Sequence, residues 1–310
     1  MAASPHRLLH GPAWYLQEAI GHRQSELGYC RHHLNTRPFE TKSLINIANA
    51  AMMLSELKLL VGELGEAEQD AGLAVEFADH SGDWGQKMRS CCRLAAVKHM
   101  QGDFDRAKQL FEEAVVLQNY GEPTKPVLYS DHGFLYRRFV LDHPRPGDFD
   151  IFLHEAEASL SIDRDFKPPH VWLVTIGLDL LSKASALAKL GIHIEEKERA
   201  ANRLFEDAFT ALKNSGSVIY LPEFHLAKAR FQLERRQPFY GDALQEADNA
   251  LRYAEDYKMP LYFVDANIIK VRAYRANSEP CKAAECMKLA ETEMNQSGYF
   301  RWRNEIEQLR

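Results

Sequence analysis

The stretch Gly102-Asp-Phe-Asp-Arg-Ala-Lys-Gln-Leu-Phe-Glu-Glu-Ala114 decides the fold of this chain. Gly102 marks a turn, because glycine adopts the left-handed backbone conformation without a steric penalty. Ala107, Phe111 and Ala114 then recur at the i, i+4 and i+7 spacing that lies on one face of a helix. Two alanines on that face let a second helix approach closely. The stretch therefore predicts a turn followed by a helix that packs tightly against another helix.

A pair of small residues seven positions apart recurs along the chain, and such internal repetition indicates a repeat fold. The pairs are Ala67 and Ala74, Ala107 and Ala114, the degenerate Ile151 and Ala158, Ala201 and Ala208, Ala243 and Ala250, and Ala283 and Ala290. An apolar run of helical period precedes each pair. These runs cover residues 44–61, 87–100, 127–141, 171–190, 219–233 and 261–276. Each repeat unit is therefore predicted to be a helix, a turn and a helix.

The order of glycine, aromatic residue and Ala-x3-Phe-x2-Ala resembles the tetratricopeptide repeat, most closely at Gly102, Phe104 and the helix that follows. This resemblance implies an all-α fold, a right-handed α-solenoid of six to seven helix–turn–helix repeats. A terminal helix over residues 301–309 is expected to cap the last repeat. Residues 1–40 are expected to form an N-terminal tail and a partial or capping helical unit ahead of the solenoid at residues 41–310.

Several stretches together resemble the helical-repeat C-terminal regions of bacterial STAND-type (NACHT-like) signalling ATPases. They are Leu54-Ser-Glu-Leu-Lys-Leu-Leu-Val-Gly62, Ala78-Asp-His-Ser-Gly-Asp83, Leu110-Phe-Glu-Glu-Ala114 with Leu117-Gln118, Leu128-Tyr-Ser-Asp-His-Gly-Phe-Leu-Tyr136, and Gly298-Tyr-Phe-Arg-Trp-Arg303. In that family such a region follows an effector domain and a nucleotide-binding domain, and it detects a trigger or holds the enzyme inactive. This sequence has no Gly-x4-Gly-Lys-Ser/Thr loop. The resemblance therefore implies a sensor or regulatory arm whose ATPase is absent or lies on another chain.

The composition is typical of a soluble globular chain, with 45% hydrophobic residues, 26% charged residues and a net charge of −6. That negative total argues against an overall electrostatic grip on nucleic acid or on an anionic membrane. No run approaches the roughly 20 apolar residues that span a bilayer, and residues 1–12 lack the apolar core of a secretory signal. The odd number of cysteines, with Cys91 and Cys92 adjacent, favours reduced thiols. A cytoplasmic location is therefore expected.

Motifs that carry catalysis or hold a metal are missing from the sequence. It contains no HExxH, no Gly-x-Ser-x-Gly, no kinase signature and no glycine-rich phosphate loop. The one local cluster of metal-ligating residue types, Cys30-Arg-His32-His33, fits surface residues at a helix end better than a closed zinc site. The sequence therefore predicts a protein that is not an enzyme, with no catalytic residues, no bound metal and no cofactor.

Charge distinguishes the two helices of a unit. The predicted first helices near residues 83–101, 218–236 and 260–276 carry more Lys and Arg than Asp and Glu, whereas their second helices are acidic. In a tetratricopeptide-like superhelix the first helices line the concave face, so the resemblance implies a basic concave face suited to an acidic peptide or a carboxylate-rich protein segment. The alternative is that these charges form ion pairs between neighbouring helices.

Candidate contact residues follow when the first alanine of each repeat is placed at position 20 of the repeat and the inward-facing positions of the first helix are counted back. The predicted contacts on the concave face are Asn49, Glu56, Arg89, Tyr136, Arg137, His225, Lys228, Arg272 and Arg275.

These observations favour a non-catalytic protein-interaction scaffold, the sensor or regulatory arm of a bacterial signalling or defence system, which binds a partner on its concave face. A second reading is a regulator that binds a small peptide or another small signal. That reading needs a closed pocket, whereas a protein partner needs an extended groove. A third reading, nucleic-acid binding through the basic wall, is opposed by the acidic total and predicts strongly salt-dependent binding.

Overall fold

The computed structural model describes residues 13–36, 40–125, 127–145, 147–165, 173–191 and 194–309. Within these residues the chain forms fourteen α-helices, and every regular element is helical. The helices are α1 (Ala13–Thr36), α2 (Thr41–Leu60), α3 (Leu64–Ser81), α4 (Trp84–Met100), α5 (Phe104–Gly121), α6 (Ser130–Asp142), α7 (Asp148–Asp165), α8 (Leu173–Leu190), α9 (Glu195–Ser215), α10 (Leu221–Glu234), α11 (Tyr240–Tyr257), α12 (Pro260–Ala276), α13 (Pro280–Ser297) and α14 (Arg303–Gln308). None of these helices is both long enough and apolar enough to cross a bilayer. The predicted all-α class is confirmed.

Helices that follow one another in sequence pack in pairs. The first helix of a repeat contacts its own second helix in α2–α3, α4–α5, α6–α7 and α8–α9. First helices also contact the next first helix, as α2 does with α4, α6 with α8 and α8 with α10. This nearest-neighbour pattern is that of an α-solenoid built from helix–turn–helix units. The six predicted units correspond to the pairs from α2–α3 to α12–α13, with α1 before them and α14 after them.

The chain forms two compact units, a division that the sequence did not indicate. Unit 1 contains the described residues up to Gly121 together with Arg252–Leu261 and Met294–Arg301. Unit 2 contains Glu122–Leu251, Tyr262–Glu293 and the residues from Trp302 onward. Helix α1 packs on α2 in unit 1, and it buries Leu16, Ile20 and Leu27. Residues 1–12 and 37–39 of the predicted N-terminal region lie outside the described residues.

The small residues that revealed the repeat lie in the core. The paired alanines of five repeats are at most 2% exposed, and they are Ala67, Ala74, Ala107, Ala114, Ala201, Ala208, Ala243, Ala250, Ala283 and Ala290. Burying a methyl group instead of a longer side chain lets two helix backbones come close together. The repeat pattern thus predicts which face of each second helix meets its neighbours.

The degenerate copy is displaced by one residue from the predicted register. Ile151, which was aligned with the first alanine, is 61% exposed, whereas Phe152 is 2% exposed. The buried stripe of α7 is Phe152, Ala156 and Ser159, again at the i, i+4 and i+7 spacing. Because Phe152 takes the place of a small residue here, a search for paired alanines selects the wrong starting position.

Phe300 and Arg301 contact the end of α4 within unit 1. The backbone N–H groups of Phe300 and Arg301 both donate to the carbonyl oxygen of Met100, at 3.0 and 3.1 Å. Gly102, at the turn after Met100, has φ +79°, and a Cβ there would lie 2.8 Å from the Phe300 oxygen. The glycine is therefore required both by the turn and by the close passage of Phe300. The terminal helix begins at Arg303, two residues later than predicted.

Candidate protein-interaction site

Four charged side chains meet between three first helices of unit 2, and we call them the inner cluster. They are Arg138, Glu223, Arg230 and Asp265. Arg138 Nη2 of α6 lies 2.8 Å from Glu223 Oε2 of α10 and 3.8 Å from Asp265 Oδ2 of α12. Arg230 Nη2 of α10 lies 3.9 Å from the same Asp265 oxygen. Glu223 and Asp265 are almost fully buried, so water reaches these ion pairs poorly. The ion pairs join the first helices α6, α10 and α12, and we call the side of unit 2 that these helices form the first-helix face.

Trp302 adds an aromatic ring to the inner cluster. Its indole Nε1–H donates a hydrogen bond to Asp265 Oδ1. The guanidinium of Arg230 lies over the ring, 4.8 Å from the ring centroid, which is a favourable cation–π distance. Trp302 directly precedes α14, and we call residues 302–309 the C-terminal segment. Through Trp302 this segment contacts α10 and α12. Asp265 therefore accepts from an aromatic donor on one oxygen and faces two arginines with the other.

Arg272 marks the edge of this face, where charged groups become accessible. Its guanidinium lies 3.6 Å from Glu234 of α10 and 3.6 Å from Glu305 of α14. Glu234 is also bound by Lys189 Nζ of α8, at 2.5 Å. The Arg272 side chain is 34% exposed, and Arg275, one turn further along α12, is exposed. Of the predicted contact residues, these two lie at the accessible rim of unit 2.

Charges of both signs form ion pairs on this face. The basic groups are Arg138, Lys189, Arg230 and Arg272, and the acidic groups are Glu223, Glu234, Asp265 and Glu305. The sequence led us to expect a basic face, but the alternative of ion pairs between neighbouring helices describes these residues better. Glu305 is the only one of the four acids that lies on the C-terminal segment.

Arg137 and Tyr136, two predicted contacts on α6, are placed differently from each other. Arg137 is 0% exposed. It forms an ion pair with Asp179 of α8 and donates to the carbonyl oxygen of Leu128 at 3.2 Å, whereas Tyr136 is half-buried. Arg137 thus holds α6 against α8, and we leave it out of the proposed contact set. The next residue, Arg138, is the arginine that reaches the inner cluster.

His225 and Lys228 lie on α10 but contact second helices. His225 Nδ1 is 2.7 Å from Glu246 Oε2 of α11, and Lys228 Nζ is 2.8 Å from both Asn202 Oδ1 and Glu206 Oε1 of α9. Both side chains are buried. Burial, the largest single influence, raises the pKa of Glu246, but the hydrogen bonds from His225 and Asn249 and the nearby charges of His225 and Lys228 together lower it below its ordinary value. These two predicted contacts therefore join the helix layers of unit 2.

The three predicted contacts of unit 1 lie on α2 and α4. Glu56 Oε2 of α2 is 3.0 Å from Arg93 Nη2 of α4, and Arg93 is buried. Arg89, one turn before Arg93, donates to Gln86 Oε1 at 2.7 Å, and Asn49 is half-buried on α2. Glu56 therefore contacts Arg93, which lies one turn after the predicted contact Arg89 on α4.

The charge difference between first and second helices has a structural cause. Basic side chains of first helices pair with acids of adjacent second helices, as Lys87 does with Asp79 and Glu113, Lys98 with Glu68, Lys228 with Glu206, Arg235 with Glu198, and Lys270 with Asp248. Hydrogen bonds to Asp79 and Glu113 raise the pKa of Lys87. The asymmetry seen in the sequence is therefore used largely to bind the two helix layers to each other.

Sequence reasoning did not select Arg138, Glu223, Arg230, Asp265 or Trp302 as site residues. Arg230 could have been selected from the sequence. It is a basic residue of a first helix, and because it lies two positions after Lys228 it faces a different side of that helix. Trp302 lies within the stretch of residues 298–303 that resembles STAND-type regions, but nothing in that stretch indicates a contact with Asp265. The repeats are longer than the 34-residue tetratricopeptide unit. The count back from an alanine selected Arg137 on α6, whereas Arg138 is the residue that reaches the inner cluster.

Metal-ligating side chains do not cluster among the described residues. Among the described residues, no group of three His, Cys, Asp or Glu side chains could hold a metal ion. The five cysteines are free thiols. Burial raises the pKa of Cys91 to about 12, so this thiol stays protonated and is a poor nucleophile.

Comparisons with known proteins find similarity among solved structures. No family model matches the chain, and no curated protein matches it. A solved structure described as the crystal structure of the P58(IPK) TPR domain matches 94% of this chain and 94% of that chain, at 13% sequence identity and a TM-score of 0.28. The fold assignment above rests on the helix pairing and not on this likeness.

Proposed function

We propose that this chain is a non-catalytic protein-interaction scaffold that binds a short segment of a partner protein on the first-helix face of unit 2. The proposed contacts are the inner cluster with Arg272 and Arg275 at its rim. The observation that carries the proposal is the convergence of arginines and carboxylates from α6, α10 and α12 on one buried position, Asp265.

Ion pairs in such a position are poor devices for stability alone. Desolvation of two charges offsets much of their attraction, so apolar side chains of similar volume stabilise a core equally well or better. Oriented arginines and carboxylates instead supply directional, charge-assisted hydrogen bonds, which discriminate between ligands. This chemistry supports a recognition role for the inner cluster.

The resemblance to STAND-type regions suggests a cellular role for this scaffold. On that reading the chain is the sensor or regulatory arm of a bacterial signalling or defence system in the cytoplasm. A partner that binds Asp265, Arg138 or Arg230 competes with contacts that join three first helices. Occupancy therefore changes how α6, α10 and α12 pack, provided that the partner favours one arrangement over the other.

A second candidate is a small-signal regulator, and one observation favours it. Arg138 of α6 reaches Asp265 of α12, so the first-helix face of unit 2 is drawn together around α10. An enclosed face of this kind suits a short peptide or another small acidic ligand better than a long groove does. The two candidates differ in the size of what is bound.

The test is a pull-down from host extract with wild-type protein, R272E/R275E and the matched control R203E/K288E. The control reverses two exposed charges on the second helices α9 and α13 of unit 2. We expect a host protein that the wild type and the control retain and that R272E/R275E loses, with all three proteins folded by circular dichroism. Equal retention by all three would contradict the site. A low-mass ligand in native mass spectra, without a protein partner, would select the second candidate.

A further inference from the structure

We infer that the chain's own C-terminal segment, residues 302–309, occupies the partner site of unit 2 as an internal ligand. The partner segment that replaces it carries the same chemistry, a tryptophan followed three residues later by a carboxylate. This inference rests on the proposed function and names the class of partner.

The tryptophan position is defined by the inner cluster. Asp265 is 1% exposed, so an oxygen left without a donor would carry a large desolvation penalty. The Trp302 indole N–H satisfies Oδ1, and its ring covers the guanidinium of Arg230 at 4.8 Å. An indole combines an N–H donor with an extended aromatic face. Phenylalanine lacks the donor, so the position selects tryptophan.

The carboxylate position is defined by Arg272. Glu305 lies 3.6 Å from Arg272, and both side chains are partly exposed, at 26% and 34%. When the segment leaves, Arg272 loses the carboxylate of Glu305. Arg272 then keeps the contact with Glu234, a carboxylate that Lys189 also binds. The vacated face therefore attracts a new carboxylate at this place.

The rest of the segment is built so that it can leave. Ile306, directly after Glu305, is 1% exposed, whereas Arg303, Asn304, Glu307 and Gln308 are exposed. The six-residue helix α14 is too short to be stable without its contacts. A short segment with few buried side chains opens more readily than a core helix does. The contacts of Trp302, Glu305 and Ile306 give the recognition pattern Trp-x-x-Glu followed by an apolar residue.

The experiment adds a fluorescent peptide with the sequence of residues 302–309 to the chain and measures anisotropy. The tethered segment competes at high effective concentration in the wild type, so W302A should bind the peptide at least about tenfold more tightly than the wild type does. The double variant W302A/D265N should lose this gain. A peptide with alanine in place of its tryptophan is the matched control and should bind neither protein.

A second variant keeps the test decisive if W302A does not fold. E305Q removes only the charge at the exposed edge, and it should bind the peptide more tightly than the wild type by about two- to fivefold. The inference is overturned if the folded variants bind the peptide no better than the wild type, or if the alanine peptide binds equally well. That failure, with a host partner still captured, would leave the proposed function intact. Peptide binding without any host partner would instead contradict the scaffold function.

Discussion

Arg138 on α6 lies 2.8 Å from Glu223 on α10, and its guanidinium also faces Asp265 on α12 at 3.8 Å. A side chain from the first repeat of unit 2 thus contacts the third and fourth repeats of that unit. The residues available to recognise a ligand are the same residues that hold first helices together. Binding on this face and packing of unit 2 are therefore coupled.

The ion pair between Arg137 and Asp179 gives a prediction about stability. Replacing Arg137 alone leaves a buried carboxylate without its partner, so R137M should lower the free energy of unfolding by about 3–5 kcal/mol. In R137M/D179L both charges are gone, and a large part of this loss should be recovered. Urea unfolding followed by circular dichroism measures both effects. A loss below about 1 kcal/mol in R137M would contradict the assigned role of the pair.

The shifted register of α7 predicts a contrast between two adjacent residues. Phe152 is 2% exposed and Ile151 is 61% exposed. F152A should therefore cost about 3–5 kcal/mol of unfolding free energy through lost burial and an internal cavity. I151A should change it by no more than about 0.5 kcal/mol. Thermal or urea unfolding measures both effects. Equal losses in F152A and I151A, or a larger loss in I151A, would contradict the shifted register and favour the register expected from the alanine pattern.

The contact between His225 and Glu246 predicts a dependence of stability on pH. The folded protein lowers the pKa of Glu246 from its ordinary value of 4.5. The stabilisation is therefore complete above pH 4.5 and is lost as the pH falls through the folded pKa. E246Q should be less stable than the wild type by about 1 kcal/mol at pH 7, and the difference should shrink below pH 4.5.

The matched control for that prediction is E255Q, which removes an exposed carboxylate of the same helix. Its unfolding free energy should follow that of the wild type at every pH. A difference between E246Q and the wild type that stays constant from pH 7 to pH 3 would show that the Glu246 charge is not involved.

The helices of this protein could be predicted from sequence because they depend on local periodicity. Ala107 and Ala114 must be small for two helices to approach, and Gly102 must be glycine at its turn, so the pattern is visible in a single stretch. The register of α7 could not be predicted in the same way. Phe152 fills the space with a large side chain, and nothing local distinguishes it from Ile151.

The candidate site depends on contacts between distant repeats, and no periodicity connects them. Whether Arg137 or Arg138 faces the inner cluster depends on a rotation of α6 by one residue, which packing against α8 determines. The contact of Asp265 with Trp302 joins a first helix to the C-terminal segment. Composition could show that first helices are basic and second helices acidic, but not that these charges neutralise each other across the helix layers.

The central claim is that a partner binds the first-helix face of unit 2, and site-specific photo-crosslinking in the host tests it most directly. A benzoyl-phenylalanine residue is introduced at Arg275, at the rim of that face, or at Arg203, on the exposed side of α9. The account predicts a discrete crosslinked partner at position 275, none at position 203, and loss of the crosslink when D265N is added. A partner crosslinked at position 203 and not at position 275 would contradict it.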